Sequence, residues 1–75
     1  MNKEQFKKKF DRVIQKSHSE IPKAVVELKN GERIVATNYS ILDYGDVVFI
    51  NLKYEGLGAE NYHYPVLLEE VAYIY

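Results

Sequence analysis

The fold of this chain is decided by sixteen residues, AVVELKNGERIVATNY, which run from Ala24 to Tyr39. Apolar and polar side chains alternate on both sides of the central Asn30-Gly31 pair, as they do in half-buried strands. An Asn-Gly pair readily takes the positive φ angles of a type I′ turn and is the strongest short-range hairpin signal. The stretch therefore predicts an antiparallel hairpin with strands over about 23–29 and 32–39.

Three later segments also have the composition of strands. Residues 47–53 are apolar on both faces, which is typical of a central strand. Residues 62–67 contain Pro65, which has no N–H and restricts its strand to a sheet edge or a bulge. Residues 71–75 form the last predicted strand. Between these elements we expect the second strand to continue past a bend over 40–44, a long loop over 54–61 and a short 3₁₀ turn over 68–70.

The segment before the hairpin predicts one amphipathic helix, over about 3–16. Asn2 is the expected N-cap, and Gln5 stands three residues later, as in a capping box. Four apolar side chains recur with the spacing of one helix face. They are Phe6, Phe10, Val13 and Ile14. We expect the helix to pack on the sheet through this face.

Composition restricts the class of protein. Seventy-five residues make one small domain, and 47% hydrophobic content argues against disorder. The absence of cysteine excludes disulfides and thiolate metal sites, and self-association is then a common source of extra core, so we expect a homo-oligomer. No apolar run reaches the roughly 20 residues that span a bilayer, and a cytoplasmic location is the expectation.

The hairpin region resembles the first Sm motif of Sm-like proteins, small β-barrels related in architecture to SH3-like barrels. The similarity covers Val25–Ile34 and continues through Ile41–Val48. In that family an aspartate and an asparagine of this turn help to hold an RNA base. Asp43 matches the aspartate, whereas Asp46 stands in place of the asparagine. The second Sm motif has no match, because no basic residue stands beside the histidine in Asn61–Pro65.

These patterns together predict an α+β protein made of a single domain, 1–75. An N-terminal amphipathic helix packs on a strongly bent, five-stranded antiparallel sheet or small barrel. The SH3-like or Sm-like form of that barrel is what the resemblance implies.

Tyrosine is unusually frequent, with seven in the chain and five in its last third. Tyr62 and Tyr64 share one strand face, and so do Tyr73 and Tyr75, since successive side chains alternate along a strand. Tyrosine is enriched at interfaces, where one end of the ring is buried and the other is wet. These four residues are the predicted interaction surface; the alternative is ordinary cross-strand packing.

The charge distribution indicates a second surface. Residues 1–23 carry a net charge of +4 and residues 24–75 a net charge of −5. Helix and sheet therefore attract each other, although the asymmetry equally suits an external partner. One helix stripe holds four cations, Lys8, Lys9, Arg12 and Lys16. With Asp43 they are the candidate nucleic-acid contacts, and the alternative is a solvated helix face.

No catalytic or metal-binding residues are predicted, and no cofactor. His18 and His63 are far apart in the chain, and a metal site needs three or four convergent ligands. Ser17-His18-Ser19 and Glu69-Glu70 read better as solvated segments than as catalytic pairs. The leading hypothesis is a non-enzymatic module that binds protein, or itself, through tyrosine-rich strands. The alternatives are an Sm-like RNA-binding oligomer and a small inhibitor protein that mimics nucleic acid.

Overall fold

A computed structural model describes residues 1–56 and 61–75 of the chain. Within these ranges the protein has one α-helix, six strands and one 3₁₀ turn. In chain order they are α1 (Lys3–Lys16), β1 (Ala24–Leu28), β2 (Arg33–Ala36), β3 (Asn38–Asp43), β4 (Val48–Glu55), β5 (Asn61–Leu67), the 3₁₀ turn Leu68–Glu70, and β6 (Val71–Ile74). They form two three-stranded antiparallel sheets. Sheet A has the order β2-β1-β6, and sheet B has the order β3-β4-β5.

The helix forms as the sequence predicts. The Asn2 side chain accepts from the Gln5 N–H at 2.8 Å, and the Gln5 side chain accepts from the Asn2 N–H at 2.8 Å, which completes the capping box. Phe6 and Phe10 are fully buried, while Val13 and Ile14 pack on the core from its margin. With 14 residues α1 is too short to cross a membrane, and the described chain holds no helix that could.

The first hairpin forms, but its turn is not type I′. Gly31 has a φ of +90°, whereas no residue other than glycine has a positive φ in the described chain, so Asn30 stays in the ordinary region. The Gly31 N–H donates to the Leu28 carbonyl at 2.9 Å, and the Leu28 N–H donates to the Glu32 carbonyl at 2.8 Å. These bonds close a three-residue loop with glycine at its left-handed position, the second most common hairpin connection.

The expected second strand is divided at Thr37. β2 pairs with β1 in sheet A, and β3 pairs with β4 in sheet B. Thr37 lies between them and donates its N–H to the Lys53 carbonyl at 2.8 Å, while its hydroxyl accepts from the Glu55 N–H at 3.0 Å. The chain thus leaves one sheet and enters the other at a single residue. The predicted five-stranded sheet or barrel is therefore wrong: the strands form two three-stranded sheets that do not close.

The remaining strand predictions are confirmed with small shifts. β4 lies between β3 and β5, as expected for a strand apolar on both faces. β5 is an edge strand of sheet B and contains Pro65, and the 3₁₀ turn precedes β6. The predicted loop over 54–61 is shorter at both ends, because Tyr54 and Glu55 belong to β4 and Asn61 to β5. Residues 57–60 lie outside the described chain.

The core lies between the sheets and under the helix. Ala24, Val26 and Leu28 of β1 face Ile50 and Leu52 of β4 in one buried cluster. The half-buried Tyr39 of β3 also packs against the helix. The Tyr39 ring meets the rings of Phe6 and Phe10 edge-on, with centroids 5.0 and 4.8 Å apart. Edge-to-face contact is a preferred geometry for aromatic pairs, so α1 is held by a three-ring cluster.

Candidate interaction surface

The outer face of sheet A carries two cross-strand rows of side chains. Because alternate β1 residues point into the core, Val25 and Glu27 point outward. Val25 is paired with Val35 of β2 and exchanges both backbone hydrogen bonds with Tyr75, at 2.7 and 2.9 Å. Glu27 is flanked in the same way by Arg33 and Tyr73. The rows Val35–Val25–Tyr75 and Arg33–Glu27–Tyr73 therefore cover this face, which we call face A.

Glu27 organises the polar part of face A. Its carboxylate accepts from the Arg33 Nε–H at 2.9 Å and from the Tyr75 hydroxyl at 3.0 Å. The Arg33 bond, followed by the Tyr75 bond, lowers the pKa of Glu27 below its ordinary value. The same hydrogen bond to Glu27 raises the pKa of Tyr75, since the neutral phenol is the donor. This hydrogen bond places the Tyr75 ring over the outer face of sheet A.

Tyr62 and Tyr64 bridge the two sheets between β5 of sheet B and β2, the edge strand of sheet A opposite β6. Both point from β5 toward β2, where the Tyr62 hydroxyl donates to the Val35 carbonyl and the Tyr64 hydroxyl to the Glu32 carboxylate. The bond to Glu32 raises the pKa of Tyr64, and burial raises the pKa of Tyr62. Tyr62 also stacks on Tyr54, with ring centroids 5.3 Å apart.

The four predicted tyrosines do not form one continuous patch. Tyr73 and Tyr75 lie on face A at β6, whereas Tyr62 and Tyr64 reach the opposite edge of the same sheet from β5. Each pair does share a face, as the alternation predicts. The exposed fractions are 64% for Tyr73 and 52% for Tyr75, against 39% and 38% for Tyr62 and Tyr64. The β6 pair is therefore the more available to a partner.

Two cations of the basic stripe line the same groove as Tyr73 and Tyr75. A groove of about 380 Å³ separates α1 from β6. It is lined by Lys9, Arg12 and Val13 on the helix and by Tyr73, Ile74 and Tyr75 on the strand side. Lys8, by contrast, borders a different depression with Glu4, Lys7 and Asp11. In the sequence the cations and the tyrosines were separate candidate surfaces, and the tertiary structure places two of the cations and two of the tyrosines in one groove.

Asp43 lies apart from this groove. Its carboxylate forms an ion pair with Lys3 and accepts from the Gly45 N–H at 3.1 Å, and these bonds, with Lys3 first, lower its pKa. Lys3 is at the start of α1, so Arg12 and Lys16 are about 14 and 20 Å further along the helix axis, at 1.5 Å a residue. Asp43 therefore lies well away from the Arg12 and Lys16 end of the stripe.

The two histidines also stay separate. His18 is exposed after the end of α1, and His63 lies on the outer face of β5 with its Nδ1 3.3 Å from the Asn51 side-chain nitrogen. Over residues 1–56 and 61–75, no group of three or more histidine, cysteine or acidic side chains could hold a metal ion.

An apolar row that we did not single out lies on the outer face of sheet B. Leu42, Phe49 and Leu67 are cross-strand neighbours, and the exposed Tyr44 ring meets Phe49 edge-on at 6.1 Å. The sequence did contain a sign of this row, because residues 47–53 are apolar on both strand faces. That pattern indicated a central strand, or one covered on both faces. The structure covers only one face of β4 with the core, and the other face stays partly exposed.

Comparison with known proteins adds no relative to this description. The chain matches no protein-family model, and no curated protein or solved structure is significantly similar to it.

Proposed function

We propose that this protein is a small non-enzymatic interaction module, which binds a protein partner or a second copy of itself through its tyrosine-rich strands. The observation that carries the proposal is the pair of rings on face A. Tyr73 and Tyr75 are more than half exposed, and Tyr75 stands in one cross-strand row with the half-buried Val25 and Val35. Large exposed apolar surface next to polar anchors is typical of binding sites.

The fixed orientation of three of the four tyrosines supports the same function. Tyr62, Tyr64 and Tyr75 each donate a hydroxyl hydrogen bond within the protein. Ordering side chains on association costs about 0.5–1.5 kcal/mol for each rotamer-rich group. A ring that the fold already holds avoids that cost, and on face A this applies to Tyr75.

A second copy of the chain is the simplest partner to test. β5 and β6 are edge strands of their sheets, and Tyr73 and Tyr75 stand at one of these edges. Exposed edges pair readily with other strands unless they are blocked. An interface of this kind buries the aromatic rings and adds core to a domain that is too short to have a large one.

Light scattering over a wide concentration range tests this function. We expect a mass above the 8.8 kDa of one chain that rises with concentration. Tyr73→Ser should return the mass toward 8.8 kDa, because it removes an exposed ring and touches none of the hydrogen bonds described above. Tyr44→Ser is the matched control, since Tyr44 is equally exposed at the β3–β4 turn.

One outcome would restrict the proposal to a different protein partner, and a second would contradict it. A mass that stays at one chain throughout refutes self-association, and only a different protein could then occupy face A. Association that Tyr73→Ser leaves unchanged, while Tyr44→Ser weakens it, places the interface on the outer face of sheet B instead.

RNA binding of the Sm-like kind is a second candidate, and one observation favours it. Lys9 and Arg12 stand beside two exposed tyrosines, and cations beside aromatic rings suit single-stranded nucleic acid. Against it, the Asp43 carboxylate forms an ion pair with Lys3, and neither residue lines the groove. We therefore rank this function below protein binding.

A further inference from the structure

We infer that the groove between α1 and β6 binds an extended acidic peptide, which adds to the free edge of β6 as a further strand of sheet A. This inference rests on the proposed function, because it names the partner class for one of the tyrosine-rich strands. Three features of the protein support this inference: the geometry of the groove, the backbone groups that face it and the charge of the helix beside it.

The groove runs along the edge of β6 and not over either face of the sheet. Tyr73 and Tyr75 project outward, whereas Ile74 is paired with the buried Val26 and projects inward. All three consecutive residues line the same groove. Side chains of opposite faces can share a groove only where it follows the strand edge between those faces.

The strand edge offers backbone groups that form no hydrogen bond with the rest of the described chain. Tyr75 and Val25 exchange both of their hydrogen bonds, which makes them a hydrogen-bonded pair of the antiparallel ladder. The next pair, Ile74 with Val26, is then a non-hydrogen-bonded pair, since the two kinds alternate. The N–H and C=O of Ile74 consequently point away from β1, toward the groove. A donor and an acceptor in this arrangement are what an added strand requires.

The helix flank beside the groove is basic. Lys9, Arg12 and Lys16 lie on the flank next to Val13, at positions i, i+3 and i+7. At about 100° a residue, the acidic residues Glu4 and Asp11 lie roughly 140–160° around the helix from Lys9. The ion pairs of the described chain are Lys3–Asp43 and Arg33–Glu27, so none involves a cation of this flank.

These features select the chemistry of the partner. Alternate side chains of an added strand would face α1, where carboxylates meet Lys9 and Arg12 and their stems rest on Val13 and Ile74. The other side chains would lie on face A beside Tyr73 and Tyr75, where apolar groups pair well. A strand with acidic and apolar residues in alternation satisfies both. The β5 strand of a second copy, Asn61–Leu67, has no acidic residue and lacks this match.

The test is a titration of the full chain with an eight-residue, end-blocked peptide of alternating glutamate and valine. The matched probe replaces glutamate with glutamine. We expect the glutamate peptide alone to bind, with an affinity that falls as salt rises. Lys9→Glu should weaken binding roughly fivefold or more, while Lys7→Glu, a reversal on the other flank, should change it less than about twofold.

Amide hydrogen exchange of the unmodified chain tests the strand addition itself. The Ile74 N–H should exchange more slowly when the peptide is present, because it becomes a donor to the added strand. The Tyr75 N–H is the internal control, since it already donates to Val25 at 2.9 Å. This measurement needs no variant, so it stands even if a substitution disturbs the fold.

Four results would overturn the inference. The first is equal binding of the glutamine peptide, and the second is the absence of binding at millimolar peptide. The third is peptide binding that leaves Ile74 exchange unchanged. The fourth is preferential binding of an oligouridine of the same length, which would make nucleic acid the ligand of the groove. Each of these results refutes the peptide site by itself. Self-association that depends on Tyr73, if it is also observed, leaves the proposed function intact.

Discussion

Removal of the Phe10 ring is the sharpest test of how the helix is held. Phe10 is 2% exposed, and its ring lies 4.8 Å from the Tyr39 ring and 5.8 Å from the Phe6 ring, centroid to centroid. Truncating a phenylalanine in such a site to alanine typically costs about 3–5 kcal/mol. A domain of 75 residues has a free energy of unfolding of only about 4–11 kcal/mol. Phe10→Ala should therefore remove about a quarter or more of that stability, and nearly all of it if the stability lies at the lower end of the range.

Denaturant unfolding followed by circular dichroism measures this loss. Lys7→Ala is the control, because it changes an exposed residue of the same helix and should shift stability by no more than about 0.5 kcal/mol. If Phe10→Ala costs under about 1 kcal/mol, or if the helix melts in a separate transition while the sheets persist, α1 is not part of the core. The three-ring cluster would then not be what holds the helix.

Two further predictions concern the turn and the pH dependence of stability. Gly31→Val should lower the free energy of unfolding by about 1–2 kcal/mol. Gly31 has a φ of +90° and no atom lies within 4 Å of an added Cβ, so backbone strain is the only cost. Gly31→Asn should cost less, and equal unfolding midpoints of the two variants would contradict this explanation. The hydrogen bonds from Arg33 and then Tyr75 lower the pKa of Glu27, so its carboxylate stabilises the fold above about pH 4, and this contribution is lost as the pH falls through the folded pKa. Glu27→Gln should therefore make the unfolding midpoint fall less steeply as the pH is lowered. An unchanged pH dependence would refute the contribution of Glu27.

The helix and most strands could be predicted because their signals are local. The capping box joins residues three apart, and the apolar face of α1 repeats every three or four residues. The position of Gly31 in the hairpin was also local. The turn type was not decided by the Asn-Gly pair, because a type I′ turn and a three-residue loop both place glycine at positive φ. Here the Asn30 side chain accepts from the Glu32 N–H at 2.9 Å, in the longer loop.

The change of sheet at Thr37 could not be predicted, because its cause is distant in sequence. Lys53 and Glu55, whose backbone groups hold Thr37, are 16 and 18 residues away. In the sequence Thr37 is simply one more strand-forming residue between Ala36 and Asn38. Alternation predicts which side chains share a strand face, but it contains nothing about where one strand passes from one sheet to another.

The binding surface depends on the same kind of long-range information. The sequence separates Lys9 and Arg12 from Tyr73 and Tyr75 by about sixty residues, and its charge asymmetry suited either an internal or an external partner. Among the described residues only Lys3 and Asp43 form an ion pair between helix and sheet, while Glu27 is bound by Arg33 of its own hairpin. The opposite charges of the two segments are thus scarcely used inside the fold. The cations beside β6 form no ion pair within the described chain and lie next to a strand edge, and it is on this arrangement that the proposal of an acidic strand as partner rests.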